Sequence, residues 1–361
     1  MIPKRFIFIT NNAFERWSYD SPIKRGIGGS ETAIVELSKR LAKRGFEVIV
    51  YVPLEKGVKS KWQGTVWKDV DEADFSLKGH WVICRSPILF SKFSPQHPDQ
   101  KIYLQMQDVD YPMKSPQTLI CDKFLALCDT HVAFTKNVHS EVAGRVVRSA
   151  NGIRTDLIEE QEKKNKVQRD PHRIMYASSP DRGLVNLLKI FPKIRQRVPD
   201  ATLHAFYGFD NIRKIVKDNI PIDDIGTSIK DLEKLMSQPG VTWHGRISQV
   251  ELYDEWRKSG IWGYPTRFAE TSCITSMEAQ ALGAIPVTNP FWALLDNVMY
   301  GSVIDGDPAV NPMTQIEYIN EICYWMTNEN VEKIRLEMIK KARERFDWER
   351  VVDSYIEMMD N

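Results

Sequence analysis

The chain has 361 residues, enough for two domains that each bury a sizeable core. Its 49 Lys and Arg against 48 Asp and Glu leave a formal net charge of +1, which excludes a global positive field drawing it to nucleic acid or an anionic membrane. Five cysteines, at 84, 121, 128, 273 and 323, form no C-x-x-C pair and no metal-ligand spacing, so reduced cytoplasmic residence is expected rather than a disulfide framework.

Near the amino terminus the apolar run is too short for a signal-peptide core, and no run approaches 18 apolar residues, so no membrane span is expected. Phe6–Thr10 reads as a buried strand, followed by a loop from Asn11 to Ile27 that holds Arg16, Trp17, Tyr19, Lys24 and Arg25. Gly28-Gly29-Ser30 then opens a helix, with Ser30 as its N-cap, Ile34, Leu37 and Leu41 on one face and Gly45 just past its end. Phe46–Val52 is a second buried strand, which makes a βαβ unit and a parallel sheet. Trp81–Cys84, Lys101–Gln105 and Val132–Phe134 read as further strands.

Between Arg154 and Arg173 the composition turns charged and poor in large apolar residues, the pattern of an interdomain connection. A second α/β series starts at Arg173–Ala177 and continues with a helix carrying Leu184, Leu187, Leu188, Phe191 and Ile194, kinked at Pro192. Then come the strand Ala201–Tyr207, a polar helical insertion from about Asp210 to Gln238, the strand Val241–His244, a helix near Gln249–Ser259 and the strand Ile261–Tyr264. The pattern predicts an α/β protein of two doubly wound, Rossmann-like domains facing a cleft, with ligands at the carboxyl ends of the strands. Their bounds are 1–155, with a terminal helix of about 346–361 crossing back, and 170–345.

Immediately after Tyr264 two carboxylates, Glu270 and Glu278, flank a helix start with seven residues between them. Thr271 or Ser272 is placed to cap that helix and Gly283 to end it in a left-handed conformation. Free N–H groups and the positive dipole end suit phosphate, and an ionised Glu beside them suits hydroxyls, the two halves of a nucleotide sugar. The plainer reading is of two surface acids. Against it, Met277, Ala281 and Leu282 form an apolar stripe beside Glu278, and Ala284–Val287 reads as a buried strand, where an unpaired charge is costly.

Five short motifs, in order, resemble those of family 4 glycosyltransferases, retaining enzymes of the GT-B fold, over nearly the whole chain. Gly28-Gly29-Ser30-Glu31-Thr32-Ala33 resembles the family's glycine-rich motif, and Asn151-Gly152-Ile153 its end-of-first-domain signature. Ser178-Ser-Pro-Asp-Arg182-Gly183-Leu184 resembles its phosphate-binding turn, Glu270 and Glu278 its E-x7-E pair, and Phe346-Asp-Trp348 with the following helix its terminal crossover. The resemblance implies transfer of a sugar from a nucleotide diphosphate to an acceptor hydroxyl, with Glu270 on the donor sugar, Glu278 on the ribose and Arg182 on the diphosphate. Gly28, Gly29, Ser178, Thr271, Ser272, Cys273 and Ile274 join the implied donor site, and Gly245 and Arg246 lie near the base by analogy. A front-face mechanism follows, needing no cofactor and no metal, because the helix start does a cation's work. The implied partners are the nucleotide-sugar donor and a glycan, lipid-linked or other hydroxyl acceptor, at a cytoplasmic location compatible with peripheral membrane attachment.

The chain also departs from the pattern. Tyr176 and Ala177 stand where relatives carry an arginine, Thr271-Ser272-Cys273 where many carry glycines, and Gln107-Asp108 where many carry a sugar-contacting histidine, which makes Asp108 a catalytic candidate. Cys273 reads as a small packing residue rather than a thiol of lowered pKa. The rival readings are a GT-B-fold epimerase or phosphorylase and a catalytically silent nucleotide-sugar-binding protein. A nicotinamide oxidoreductase is disfavoured because its glycine fingerprint must follow the first strand directly, and about sixteen residues intervene here.

Overall fold

The computed structural model describes residues 4–13, 15–94, 98–111, 117–213, 217, 220–222 and 226–360; part of the insertion expected between Asp210 and Gln238 lies outside them. The chain divides into two compact units, Met1–Gly152 with Asp347–Asn361, and Ile153–Phe346.

In the first unit the strands are β1 (Arg5–Ile9), β2 (Glu47–Val52), β3 (Lys61–Trp62), β4 (Thr65–Asp69), β5 (Gly79–Cys84), β6 (Gln100–Gln105), β7 (Lys123–Ala126) and β8 (Val146–Arg148). They form one sheet in the order β3-β4-β2-β1-β5-β6-β7-β8, parallel except for the short β3. Phe6 to Ile9 are buried on both faces, as a central parallel strand requires. The helix Gly29–Lys43 buries Ile34, Leu37 and Leu41 and is followed by Gly45 at φ +86°. Ser30 does not cap it: extended Gly28 occupies the N-cap and the helix begins two residues earlier. Val132–Phe134 is not a strand but part of the helix Asp129–Val138, whose start is held by Cys128 Sγ accepting from the His131 N–H. An apolar triplet cannot distinguish the two states; the neighbouring Lys123–Ala126 takes the sheet position instead. The terminal helix Trp348–Asp360 buries Trp348, Val352 and Tyr355 in the same core as Leu37 and Leu41. Glu349 pairs with Arg40 at 3.1 Å and Arg44 at 2.9 Å, and Asp353 with Arg44 at 2.7 Å.

In the second unit the strands are β9 (Asp170–Tyr176), β10 (Thr202–Phe206), β11 (Val241–Gly245), β12 (Ser259–Tyr264), β13 (Ile285–Thr288) and β14 (Ser302–Val303), in the order β11-β10-β9-β12-β13-β14. That is the doubly wound order with its reversal between β9 and β12. Residues 153–169 are not a free connection, because the helix Thr155–Lys164 buries Leu157 and Ile158 in the core of this unit. The helix Leu184–Arg197 runs through Pro192. Ile153 donates its N–H to the Phe346 carbonyl at 2.7 Å, so the first and last residues of the unit meet.

Candidate active site

Strands β9 and β12 are neighbours in the sheet, but the chain leaves their carboxyl ends in different directions, the place where open α/β sheets bind ligands. After β9 comes a turn with Ser178 buried, one 3-10 turn over Pro180–Arg182, and Gly183 at φ +107° before the Leu184–Arg197 helix. A side chain at Gly183 would strike the Pro265 carbonyl and Thr266 of the loop after β12, so glycine lets the two backbones pack directly. Asn186 Nδ2 adds a bond to the Pro265 carbonyl at 2.9 Å.

Several side chains pin that second loop. Asn289 accepts from the Thr266 N–H at 3.1 Å and donates to its carbonyl at 2.8 Å. Ala293 N–H donates to the Glu270 carbonyl at 3.0 Å, and the Asn297 amide donates to the Ser272 carbonyl. These contacts bring two sequence-predicted residues together. Arg182 Nη1 donates to both Glu270 oxygens, at 3.1 and 3.2 Å, and its guanidinium lies 4.0 Å from the centre of the Phe268 ring. Tyr264 Oη donates to Glu270 Oε1 at 2.6 Å.

The Glu270 side chain is 7% exposed, whereas that of Arg182 is 34% exposed. Burial, the largest single influence, favours loss of the Arg182 proton, but the charge and hydrogen bond of Glu270 together with Tyr264 and Asp181 outweigh it and hold the guanidinium pKa above its ordinary value. Arg182 Nε is buried without a hydrogen-bond partner in the protein, so the fork keeps donors outside the Glu270 pair.

The helix Ile274–Leu282 starts beside this pair. Neither Thr271 nor Ser272 occupies its N-cap; Cys273 does, in a left-handed conformation, φ +46°, and makes no side-chain cap hydrogen bond. The Ser272 hydroxyl is buried with no hydrogen-bond partner in the protein. The positive dipole end therefore stays unquenched. At the other end Gly283 takes φ +89° as expected, Arg169 donates to the Leu282 carbonyl at 2.7 Å, and Arg343 donates to the Ala281 carbonyl at 3.0 Å. Cys273 is a packing residue: burial, and then Glu270, push its thiol pKa up.

Glu278 faces a different neighbour. It is 4% exposed, and the polar groups of Gln249, Tyr253 and Trp256 on the helix Gln249–Lys258 face its carboxyl. Burial dominates and pushes its pKa up to about 7. An unfolded chain releases this proton near 4.5 and the folded one near 7, so the stabilisation is complete below pH 4.5 and is lost as pH rises to 7. The loss amounts to about 3 kcal/mol at about 1.36 kcal/mol per pH unit. Urea unfolding at pH 5 and pH 8 is expected to show Glu278→Gln abolishing most of that difference; an unchanged pH dependence would refute the burial of an acid here.

Gly245 ends β11 and Arg246 follows it, with Gly245 at φ +67° and its carbonyl accepting from Tyr207 N–H at 2.8 Å. The other predicted residues belong to the first unit. There the Glu31 carboxylate lies over Gly28, where a side chain would have to displace it, and Gly29 opens its helix. Arg85, at φ +60° just past β5, grips both Asp108 oxygens at 2.9 and 3.0 Å. Gln107 exchanges amide bonds with Asn151 at 3.3 and 3.2 Å, and Tyr111 Oη accepts from the N–H groups of Gln107 and Asp108.

No protein-family model and no curated protein sequence matches the chain. Solved structures do. The sucrose-phosphate synthase of Thermosynechococcus elongatus aligns with TM-score 0.68 at 12% identity, over 99% of this chain and 98% of that one. HepE of Anabaena, solved with UDP and glucose, aligns with TM-score 0.68 at 11% identity, over 99% of both chains. WaaG, a glycosyltransferase involved in lipopolysaccharide biosynthesis, aligns with TM-score 0.61 at 12% identity, over 98% of this chain and 99% of that one. The fold is that of the GT-B glycosyltransferases.

Two features of this GT-B chain escape a reading of its sequence. Tyr264 and Phe268 hold the Arg182–Glu270 pair, yet nothing in their spacing separates them from ordinary core aromatics. The expectation of a metal-free site also passes over three Asp-x-Asp triplets, at 69–71, 108–110 and 305–307. Four of their six carboxylates have protein partners: Asp69 pairs with Arg16, Asp108 with Arg85, Asp110 with His139 and Asp307 with Arg267. Among the described residues no helix of this GT-B chain is long and apolar enough to cross a membrane.

Proposed function

We propose that the protein is a retaining glycosyltransferase of the family 4 type, moving a sugar from a nucleotide diphosphate sugar to an acceptor hydroxyl. The observation that carries this reading is the Arg182–Glu270 pair beside a helix start with no capping side chain and a buried, unpartnered Ser272 hydroxyl. Such a start with a cation suits a diphosphate, and a buried carboxylate beside it suits sugar hydroxyls. HepE, solved with UDP and glucose, supports a donor of this class. The bond from the anomeric carbon to the diphosphate oxygen breaks while the acceptor oxygen bonds the same face of that carbon. The acceptor proton passes to the departing diphosphate oxygen.

Arg182 and the first-turn N–H groups of the Ile274–Leu282 helix stabilise the charge that builds on the diphosphate. Glu270 orients the sugar, Glu278 takes the ribose hydroxyls, and Gly245 and Arg246 border the base. Ser178, Thr271, Ser272, Cys273 and Ile274 line the phosphates. Gly28 and Gly29 as donor contacts rest on the family resemblance, and Asp108, neutralised by Arg85, is a positioning rather than a proton-accepting group. No cofactor or metal takes part, and the setting is cytoplasmic or peripheral to a membrane, with a glycan, lipid-linked or other hydroxyl acceptor. A thermal-shift and hydrolysis screen with UDP-glucose, UDP-N-acetylglucosamine, ADP-glucose and GDP-mannose tests the reading. A donor at 100 times its dissociation constant is expected to add about 2.7 kcal/mol of stability. Hydrolysis unchanged by EDTA is expected as well, and no response from any donor would favour a protein without this activity.

A further inference from the structure

Tyr176 stands at a position where the resembling family carries an arginine, and the structure gives that departure a use. Tyr176 and Tyr264 end the adjacent strands β9 and β12, and both are fully buried. Their ring centres are 5.6 Å apart at 37°, and Trp262 stacks on Tyr264 at 4.9 Å. Ring packing fixes where each hydroxyl points. Tyr176 Oη donates to the Ser179 carbonyl at 2.8 Å, inside the turn that carries Arg182. Tyr264 Oη donates to Glu270 Oε1 at 2.6 Å, on the carboxylate that Arg182 grips. Burial raises both phenol pKa values well above the ordinary one, so both remain donors.

We propose that Tyr176 and Tyr264 are paired positioning residues: Tyr176 holds the turn that offers Arg182 to the donor diphosphate, and Tyr264 aims Glu270 at the donor sugar. This rests on reading the site as one for a nucleotide sugar. A phenol donating to a backbone carbonyl sets the shape of the phosphate turn, so its loss falls on nucleotide binding. A phenol donating to a carboxylate sets that group's direction, so its loss falls on the step in which the sugar moves. Tyr176 holds that turn without placing a second cation beside Arg182.

The test compares full-length Tyr264→Phe and Tyr176→Phe with the parent, using whichever of the four screened donors responds and its nucleoside diphosphate. Tyr264→Phe is expected to lower kcat roughly 10-fold, with donor KM and nucleoside diphosphate Kd each within about twofold of the parent. Tyr176→Phe is expected to weaken nucleoside diphosphate binding roughly fivefold, with a smaller change in kcat. Melting temperatures of both variants are recorded alongside. A lowered Tm with unchanged kinetics, or the same kinetic change in both variants, would overturn the pairing while leaving the donor reading intact. A parent protein that binds and turns over none of the donors would overturn both.

Discussion

Arg182→Ala is expected to slow sugar transfer roughly 10- to 100-fold, because it removes charged hydrogen bonds worth about 1.5–3 kcal/mol from the departing diphosphate. The geometry adds a second consequence. Glu270 is buried and receives bonds from Arg182 Nη1 on both oxygens and from Tyr264, so the alanine variant leaves a buried carboxylate with one donor fewer. Stability should therefore fall relative to the parent. Arg182→Lys keeps the charge but loses the planar fork over Phe268, and is expected to recover only part of the rate. Steady-state kinetics with a responding donor decides the matter. An alanine variant as fast as the parent would remove Arg182 from the mechanism.

Glu270→Ala is expected to impair turnover by about two orders of magnitude while nucleoside diphosphate still binds, since the carboxylate is assigned to the sugar rather than to the nucleotide. The pair with Arg182 tempers this. Losing Glu270 releases one end of the guanidinium and leaves the Tyr264 hydroxyl without its acceptor, so a loss of about 1–3 kcal/mol in stability should accompany the rate effect. Calorimetric titration with the nucleoside diphosphate separates the two roles. If nucleotide affinity collapsed while the donor sugar mattered little, Glu270 and Glu278 would have to exchange assignments.

Much of the second unit was legible because its signals are local. Buried apolar runs bounded by Gly and polar residues placed β9, β10, β12 and β13 to within a few residues, and Gly283 announced the end of its helix. The helix-start reading was half right. Glu270 does precede the helix, but the cap expected from Thr271 or Ser272 is absent because Cys273 adopts a left-handed backbone, a conformation that residue identity does not foretell. Val132–Phe134 failed for a similar reason: three apolar residues fit strand and helix alike, and only pairing of the neighbouring Lys123–Ala126 with β6 and β8 decides. Residues 155–164 looked like a linker because Leu157 and Ile158, few among many charges, were outweighed in a count of composition, yet at helical spacing they suffice to dock the segment.

By itself, then, the sequence determined the doubly wound α/β class and singled out Arg182, Glu270 and Glu278 as candidate site residues, since strand hydrophobicity, helix termini and motif order are properties of neighbours along the chain. Only the tertiary structure decided what those residues touch. Arg182 meets Glu270 because Gly183 lets two backbones pack at the switch point between β9 and β12, and Tyr264 aims the carboxylate from the next strand. Glu278 is driven toward neutrality by burial against the Gln249–Lys258 helix, an effect of desolvation by residues distant in sequence. Contact and dielectric environment arise from the packing of separate elements, so spacing along the chain carries no record of either.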